Sequence, residues 1–198
     1  MEPRGLIVIK DPEVAKLFSD SLRRQILHLV THKEMSAADL VKELGKNYSS
    51  IAYHIRLLEG AGLVAKVREE IVQKKIQQYY RATAWSFHVS YYLDETLTGD
   101  EEYRAWQEDL FNRLLGGLKG YSYYIAEEKQ ERVKELLEKL YLVQKKEFEE
   151  RRELRNPEIQ LEPHVGKSIA HILANVRLVK NEEHKAAAEE LAEILGIS

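Results

Sequence analysis

Two short capped segments stand almost back to back near residue 45, and this punctuation constrains the fold more than any other feature of the chain. Ser36 precedes ADLVKEL, Gly45 closes it, and after one lysine Asn47 precedes YSSIAYHIRLLEG. Serine and asparagine oxygens accept from the orphan N–H groups of a first helical turn, and glycine tolerates the left-handed backbone in which many helices end. The spacing predicts one helix over 37–44 and a second from Asn47 to about Gly60, with room between them only for a tight turn. On the second helix Ile51, His54, Ile55 and Leu58 fall on one face by their three- and four-residue spacing, which makes that face the buried one. Ser49, Ser50, Tyr53 and Arg56 point elsewhere.

The flanking segments fit a small helical domain. Asp11 can cap a helix that has Pro12 at its first position, where proline's fixed φ is favourable, and Val14, Leu17 and Phe18 form its inner face. A second helix begins at Ser19 or Asp20, with Leu22, Ile26, Leu29 and Val30 at helical spacing. After Leu63 the run VAKVREEIVQKKIQQYYRAT alternates roughly between apolar and polar residues, the period of half-exposed strands, with a polar interruption from Gln73 to Lys75. Two antiparallel strands joined by a loop are expected. No Asn-Gly or Asp-Gly pair sets their register.

Beyond Trp85 the pattern reads as helical throughout. Three stripes recur at helical spacing: Tyr103, Trp106, Leu110, Leu114 and Leu118; Val133, Leu136, Leu137, Leu140 and Val143; and Val165, Ile169, Ile172, Val176 and Val179. Each stripe needs a partner. The middle helix is expected from about Glu127 to Arg155, where Asn156 and Pro157 end it. Its heptad spacing lasts about two repeats, too few for a sustained coiled coil. A last helix ends at Gly196. The fold class expected is mainly α with a small two-stranded antiparallel wing: a helix-turn-helix domain, then a helical dimerisation or effector region.

Charge divides the chain in the same place. Residues 1–92 carry 14 Lys and Arg against 10 Asp and Glu, a balance of +4, whereas residues 93–198 carry 16 against 23, a balance of −7. The first half can approach a polyanion and the second would be repelled by one. Domains are therefore expected at 1–90 and 91–198. The chain has no cysteine, which excludes a disulfide framework, a thiolate metal site and a thiol nucleophile. No run is long and apolar enough to span a membrane, and the N-terminal stretch lacks the apolar core of a secretory signal, so a cytoplasmic location is expected.

The outward face of the helix after Asn47 offers hydroxyls, a ring and a guanidinium but no acid, and its N-terminus adds unpaired N–H groups able to meet a phosphate. A short helix, a turn and such a second helix make the layout of a helix-turn-helix, whose second helix enters a major groove. Lys74 and Lys75 lie near the tip of the following wing. The DNA-contacting set expected is Lys46, Asn47, Tyr48, Ser49, Ser50, Tyr53 and Arg56, with Lys74 and Lys75.

From about Asp11 to Ala82, roughly 40% of the chain, the sequence resembles the winged helix-turn-helix domain of ArsR-type transcriptional regulators. The resemblance rests on SDSLRRQILHLV, on ADLVKEL with NYSSIAYHIRLLEGAGLV, and on the strand pair ending QQYYRAT; Ser50, His54, Leu58, Gly62, Leu63 and Val64 fit the family's recognition helix and exit turn. It implies a homodimer that binds double-stranded DNA and represses or otherwise regulates transcription. Two departures stand out. Ser36, Ala37 and Ala38 occupy the place where metal-responsive members carry Cys-x-Cys, and about a hundred residues follow the wing where many members have a single dimerisation helix.

Several residues have plainer readings. Ser49 and Ser50 can bond to backbone, Tyr48 can pack on the preceding helix, and the lysines can be solvated surface residues. His28 and His32 are four apart, and His164, His171 and His184 lie in the second half, but no complete metal-ligand motif occurs, so no metal or cofactor is expected. LLGGLKGYSYY follows a helix and lacks phosphate-loop spacing. Trp85, Tyr91, Tyr92, Trp106, Tyr121, Tyr123 and Tyr124 can pack a core and interface or line a pocket for a small-molecule effector. No nucleophile–base pair appears, so an enzyme is not expected. The competing reading is a scaffold whose winged domain binds a protein.

Overall fold

The computed structural model describes residue 3 and residues 5–197 except 73 and 98; the side chains of Lys75 and Glu95 lie outside what is described. The chain divides into two compact units, Met1–Trp106 and Gln107–Ser198.

In the first unit, β1 (Ile7–Ile9) leads to α1 (Pro12–Lys16), α2 (Ser21–His32), β2 (Met35–Ser36), α3 (Ala37–Leu44) and α4 (Tyr48–Gly60). The wing strands β3 (Val64–Val72) and β4 (Lys75–Ala82) come next, followed by β5 (Phe87–Val89), a 3-10 turn over Tyr91–Leu93 and α5 (Asp94–Leu97). The caps are local and chemical. Asp11 accepts from the Glu13 N–H at 2.8 Å, Asp20 from the Arg23 N–H at 2.8 Å and Asn47 from the Ser50 N–H at 2.8 Å. Gly45, at φ 63°, takes the left-handed conformation that closes α3.

The wing has three strands, not two, in the order β2-β4-β3. Met35 and Ser36 pair with Tyr80 and Tyr79, and β3 pairs with β4 from Val64↔Ala82 to Val72↔Lys75. A two-residue strand between two helices offers no alternation from which to read it. The register shifts between Lys66 and Arg68, leaving Val67 as the extra residue of a bulge, which is why alternation along β3 is only rough. The expectation that everything after Trp85 is helical also fails: β5 pairs in parallel with β1, Ile7 opposite Phe87 and Ile9 opposite Val89.

Ile26, Val30, Leu40, Ile51, Ile55, Leu58, Leu63 and Val64 form a continuous core beneath α4. Leu93, Leu97 and Tyr103 join the same core, carrying the first unit past residue 90. Tyr103 lies on α6 (Glu101–Gly117), and Trp106 packs edge-on against its ring at 5.2 Å.

In the second unit α7 (Glu127–Glu153) packs on α8 (Pro163–Val179) and α9 (Glu182–Leu195). Val133 and Leu136 of α7 and Ala187 of α9 are buried. Arg132 donates to both oxygens of Glu190 and to Glu135, and Arg177 reaches Glu150 at 2.8 Å and Glu147 at 3.4 Å. The stripe predicted on α8 finds no partner among the described residues: Val165, Ile169, Ile172, Val176 and Val179 are all exposed. Helical periodicity reports that a face is apolar, not that the same chain covers it.

Candidate nucleic-acid interface

The exposed face of α4 is built by the burial of its other face. With Ile51, Ile55 and Leu58 at 0, 2 and 0% exposure, the helix cannot rotate, so Tyr48 at 61% and Tyr53 at 51% are held in solvent with Ser49 and Arg56. Ser50 and His54 are half-buried at the edge of this face. His54 therefore does not lie on the fully buried side; its ring meets Tyr53 edge-on at 5.3 Å, which restricts the tyrosine. The His54 Nδ1 atom is buried without a hydrogen-bond partner.

At the start of α4 the Asn47 side-chain oxygen accepts from Ser50 and its carbonyl accepts from Ile51. Among the described residues, the N–H groups of Tyr48 and Ser49 meet no acceptor. Two backbone donors and the positive end of a helix dipole thus face outward beside Lys46 and the tyrosines. No acidic residue occurs from Lys46 to Leu58.

α3 is locked by a reciprocal cap. The Asp39 N–H donates to Ser36 Oγ at 3.2 Å, while Asp39 Oδ2 accepts from the Ser36 N–H at 2.9 Å and the Ser36 hydroxyl at 2.7 Å. The hydroxyl and then the N–H of Ser36, with Lys33 and Lys42 nearby, hold the Asp39 carboxyl below its usual range. This pair was not singled out from sequence, although Ser-x-x-Asp before an apolar run was there to be read.

The wing stem is less cationic than its composition suggests. Lys66 pairs with Glu69 at 2.9 Å, and Arg68 pairs with Glu70 at 2.8 Å and Glu34 at 3.3 Å while its guanidinium stacks 3.5 Å from the Tyr79 ring centre. Lys46, Arg56 and Lys74, by contrast, form no ion pair among the described residues. Lys74 sits exposed in the turn with φ 64°, and Lys75 opens β4 with its side chain outside what is described. Ile71 and Ile76, directly paired beside that turn, are 78 and 68% exposed, a feature not singled out from sequence.

Tyr121 and Tyr124 stand in solvent at 81 and 78% exposure. Trp85 instead borders a cleft of about 250 Å³ in the first unit with Phe18, Phe87, Arg24, His28 and His32, the two histidine rings meeting edge-on at 4.9 Å. Among the described residues no three His, Asp or Glu side chains gather as a cation site.

Residues 20–66, from the cap of α2 through α4 to the start of β3, match the family profile described as bacterial regulatory protein, arsR family. The helix-turn-helix of the first unit is of that type. A solved structure that the chain resembles is a homodimeric winged helix-turn-helix DNA-binding domain from Mycobacterium bovis, described as a possible ArsR-family transcriptional regulator. It is 22% identical, covers 52% of this chain and 76% of its own, and superposes at a TM-score of 0.32. No curated protein matches the chain.

Proposed function

We propose that this protein, built on an ArsR-type helix-turn-helix, is a sequence-specific transcription regulator that binds double-stranded DNA as a homodimer. The observation that carries the reading is the solvent face of α4, where Tyr48, Ser49, Tyr53 and Arg56 are exposed with no acid among them, on the segment that matches the family. Placed in a major groove, Tyr53 and Arg56 reach base edges, and Arg56 can grip a guanine through two hydrogen bonds. Ser49, Ser50 and the N–H groups of Tyr48 and Ser49 meet phosphates, which fix register rather than sequence. Asn47, its side-chain oxygen committed to the cap, offers its amide N–H groups to the same phosphates. Lys46, Lys74 and Lys75 add charge along the backbone.

Two copies related by a two-fold axis set their α4 helices about one duplex turn apart, so the operator is pseudo-palindromic. Occupying such a site across a promoter represses it. The domain that binds DNA is the first unit; the helical second unit supplies dimer contacts, and the cleft beside Trp85 has room for a small effector. The protein works in the cytoplasm and catalyses no reaction.

The test is a gel shift on promoter fragments from the source genome against random duplex at moderate salt. Preferential binding is expected, and Tyr53→Ala with Arg56→Ala should abolish it while circular dichroism and melting stay unchanged. Equal affinity for both duplexes, or full binding by the double variant, refutes the reading.

A further inference from the structure

α8 is turned inside out. The residues it turns toward its own unit are Gly166, Ala170, Ala174 and Leu178, half-buried at a spacing of four, and Arg177 anchors the helix to Glu147 and Glu150 of α7. Toward solvent it presents Val165, Ile169, Ile172, Leu173, Val176 and Val179, which are 39, 45, 55, 46, 58 and 68% exposed. Except for Leu173 these follow the four-three alternation of a two-heptad seam, β-branched at every position. Three small residues and one leucine inside, with six large aliphatics outside, invert what a helix with no further partner would choose.

From this we infer that the aliphatic seam of α8 is an interface with a second copy of this chain, a reading that rests on the proposed dimeric regulator and names its contact surface. The area suffices for a copy. Six half-exposed aliphatic side chains leave on the order of 500 Å² of apolar surface in water, in the upper part of the roughly 300–600 Å² that the largest patch on a monomer reaches, the size at which such a patch is often an interaction surface. Doubled by a two-fold axis, that reaches the roughly 1,000 Å² a specific interface requires. Charge agrees. α8 carries no acid, and its Lys167 forms no ion pair among the described residues, whereas α9 carries five Glu against one Lys, so one unit holds the apolar seam, a cation beside it and an acidic helix of opposite sign. A surface that contains both halves of its own complement suits self-association.

The experiment uses the full chain and sedimentation at micromolar concentration. The parent protein should run at twice its 23.1 kDa mass. Ile172→Glu with Ile169→Glu should run as a monomer, its dimer dissociation constant raised about a hundredfold, with the helical circular dichroism of the parent. A second variant guards against misfolding. The chain has no cysteine, so Ile172→Cys adds a unique thiol that should form a disulfide-linked dimer under mild oxidation, whereas Lys185→Cys on α9 should not. A monomeric parent, or a glutamate variant that stays dimeric, overturns the inference. Failure of the regulator reading looks different: a dimer that dissociates on α8 substitution but shows no preference for promoter DNA keeps the interface and loses the function, while a variant still dimeric on its operator does the reverse.

Discussion

The side-chain amide of Gln77, in the middle of the wing, donates to the hydroxyl of Ser36 at 2.7 Å. Ser36 is fully buried and caps α3, so one oxygen joins the wing to the first helix of the helix-turn-helix. That oxygen is saturated: it accepts from Gln77 and from the Asp39 N–H, and it donates to Asp39. Ser36→Ala removes all three bonds and leaves two donors searching for acceptors. A loss of about 1–2 kcal/mol in urea denaturation is expected, the usual range for a lost N-cap. Gln77→Ala keeps the cap, so its cost should be smaller; hydrogen exchange should instead accelerate across β2 and β4, where the wing is tied down.

Asp39 makes that cap depend on pH. Its folded-state pKa lies below the ordinary value of 3.8 because the Ser36 hydroxyl and then the Ser36 N–H bind the ionised form. A depressed carboxylate contributes stability that is present above the unfolded pKa and is lost as pH falls through the folded one. Asp39→Asn keeps an acceptor but discards the charge, so it should cost about 0.5–1 kcal/mol at neutral pH. The melting-temperature gap between variant and parent should shrink below about pH 4 and close in stronger acid. A gap that persists undiminished in acid would mean that the charge contributes nothing.

The wing cations separate into engaged and available groups, and salt dependence tells them apart. Lys66 already holds Glu69, and Arg68 holds Glu70 and Glu34, whereas Lys74 forms no ion pair among the described residues. Lys74→Gln should weaken DNA binding uniformly across sequences and reduce the slope of log affinity against log salt by about one contact. Lys66→Gln should leave that slope nearly unchanged. Fluorescence anisotropy over a salt series measures both, and equal slopes for the two variants would place the wing off the duplex.

What was legible in the sequence was local chemistry. Asp11, Ser36 and Asn47 announce helix starts, Ser19 and Asp20 narrow a further start to two residues, of which Asp20 is the cap, and Gly45 announces an end, because each acts on backbone groups within a few residues of itself. The spacing of Ile51, Ile55 and Leu58 likewise gives the exposed face of α4, failing only for Ser50 and His54 at its edge. Features that depend on distant partners were not legible. β1 and β5 are three residues each and find one another across some eighty positions, with neither a turn nor a period to betray them. The charge change near residue 90 describes surface, whereas the first compact unit is carried to Trp106 by the insertion of Leu93, Leu97 and Tyr103 into a core. Lys66 and Arg68 are basic in composition, but the fold engages them with Glu69, Glu70 and Glu34.

Gly45 is the pivot of the helix-turn-helix, and its substitution should separate backbone strain from steric fit. A methyl group added there meets nothing within 4 Å, yet φ is 63°, so the whole penalty of Gly45→Ala comes from the left-handed conformation, about 1–2 kcal/mol. Gly45→Asn should cost less, because asparagine visits that region more readily than other residues with a Cβ. Gly60 has equally open surroundings but ends α4 with an ordinary helical backbone, so Gly60→Ala should be neutral or stabilising by up to about 0.5 kcal/mol through reduced freedom of the unfolded chain. Urea titration of the three variants checks the order Gly60→Ala, Gly45→Asn, Gly45→Ala from most to least stable. If Gly45→Ala matched the parent, α3 would not need its left-handed stop, and the angle between α3 and α4 would have to be fixed by the packing of the two helices in the core alone.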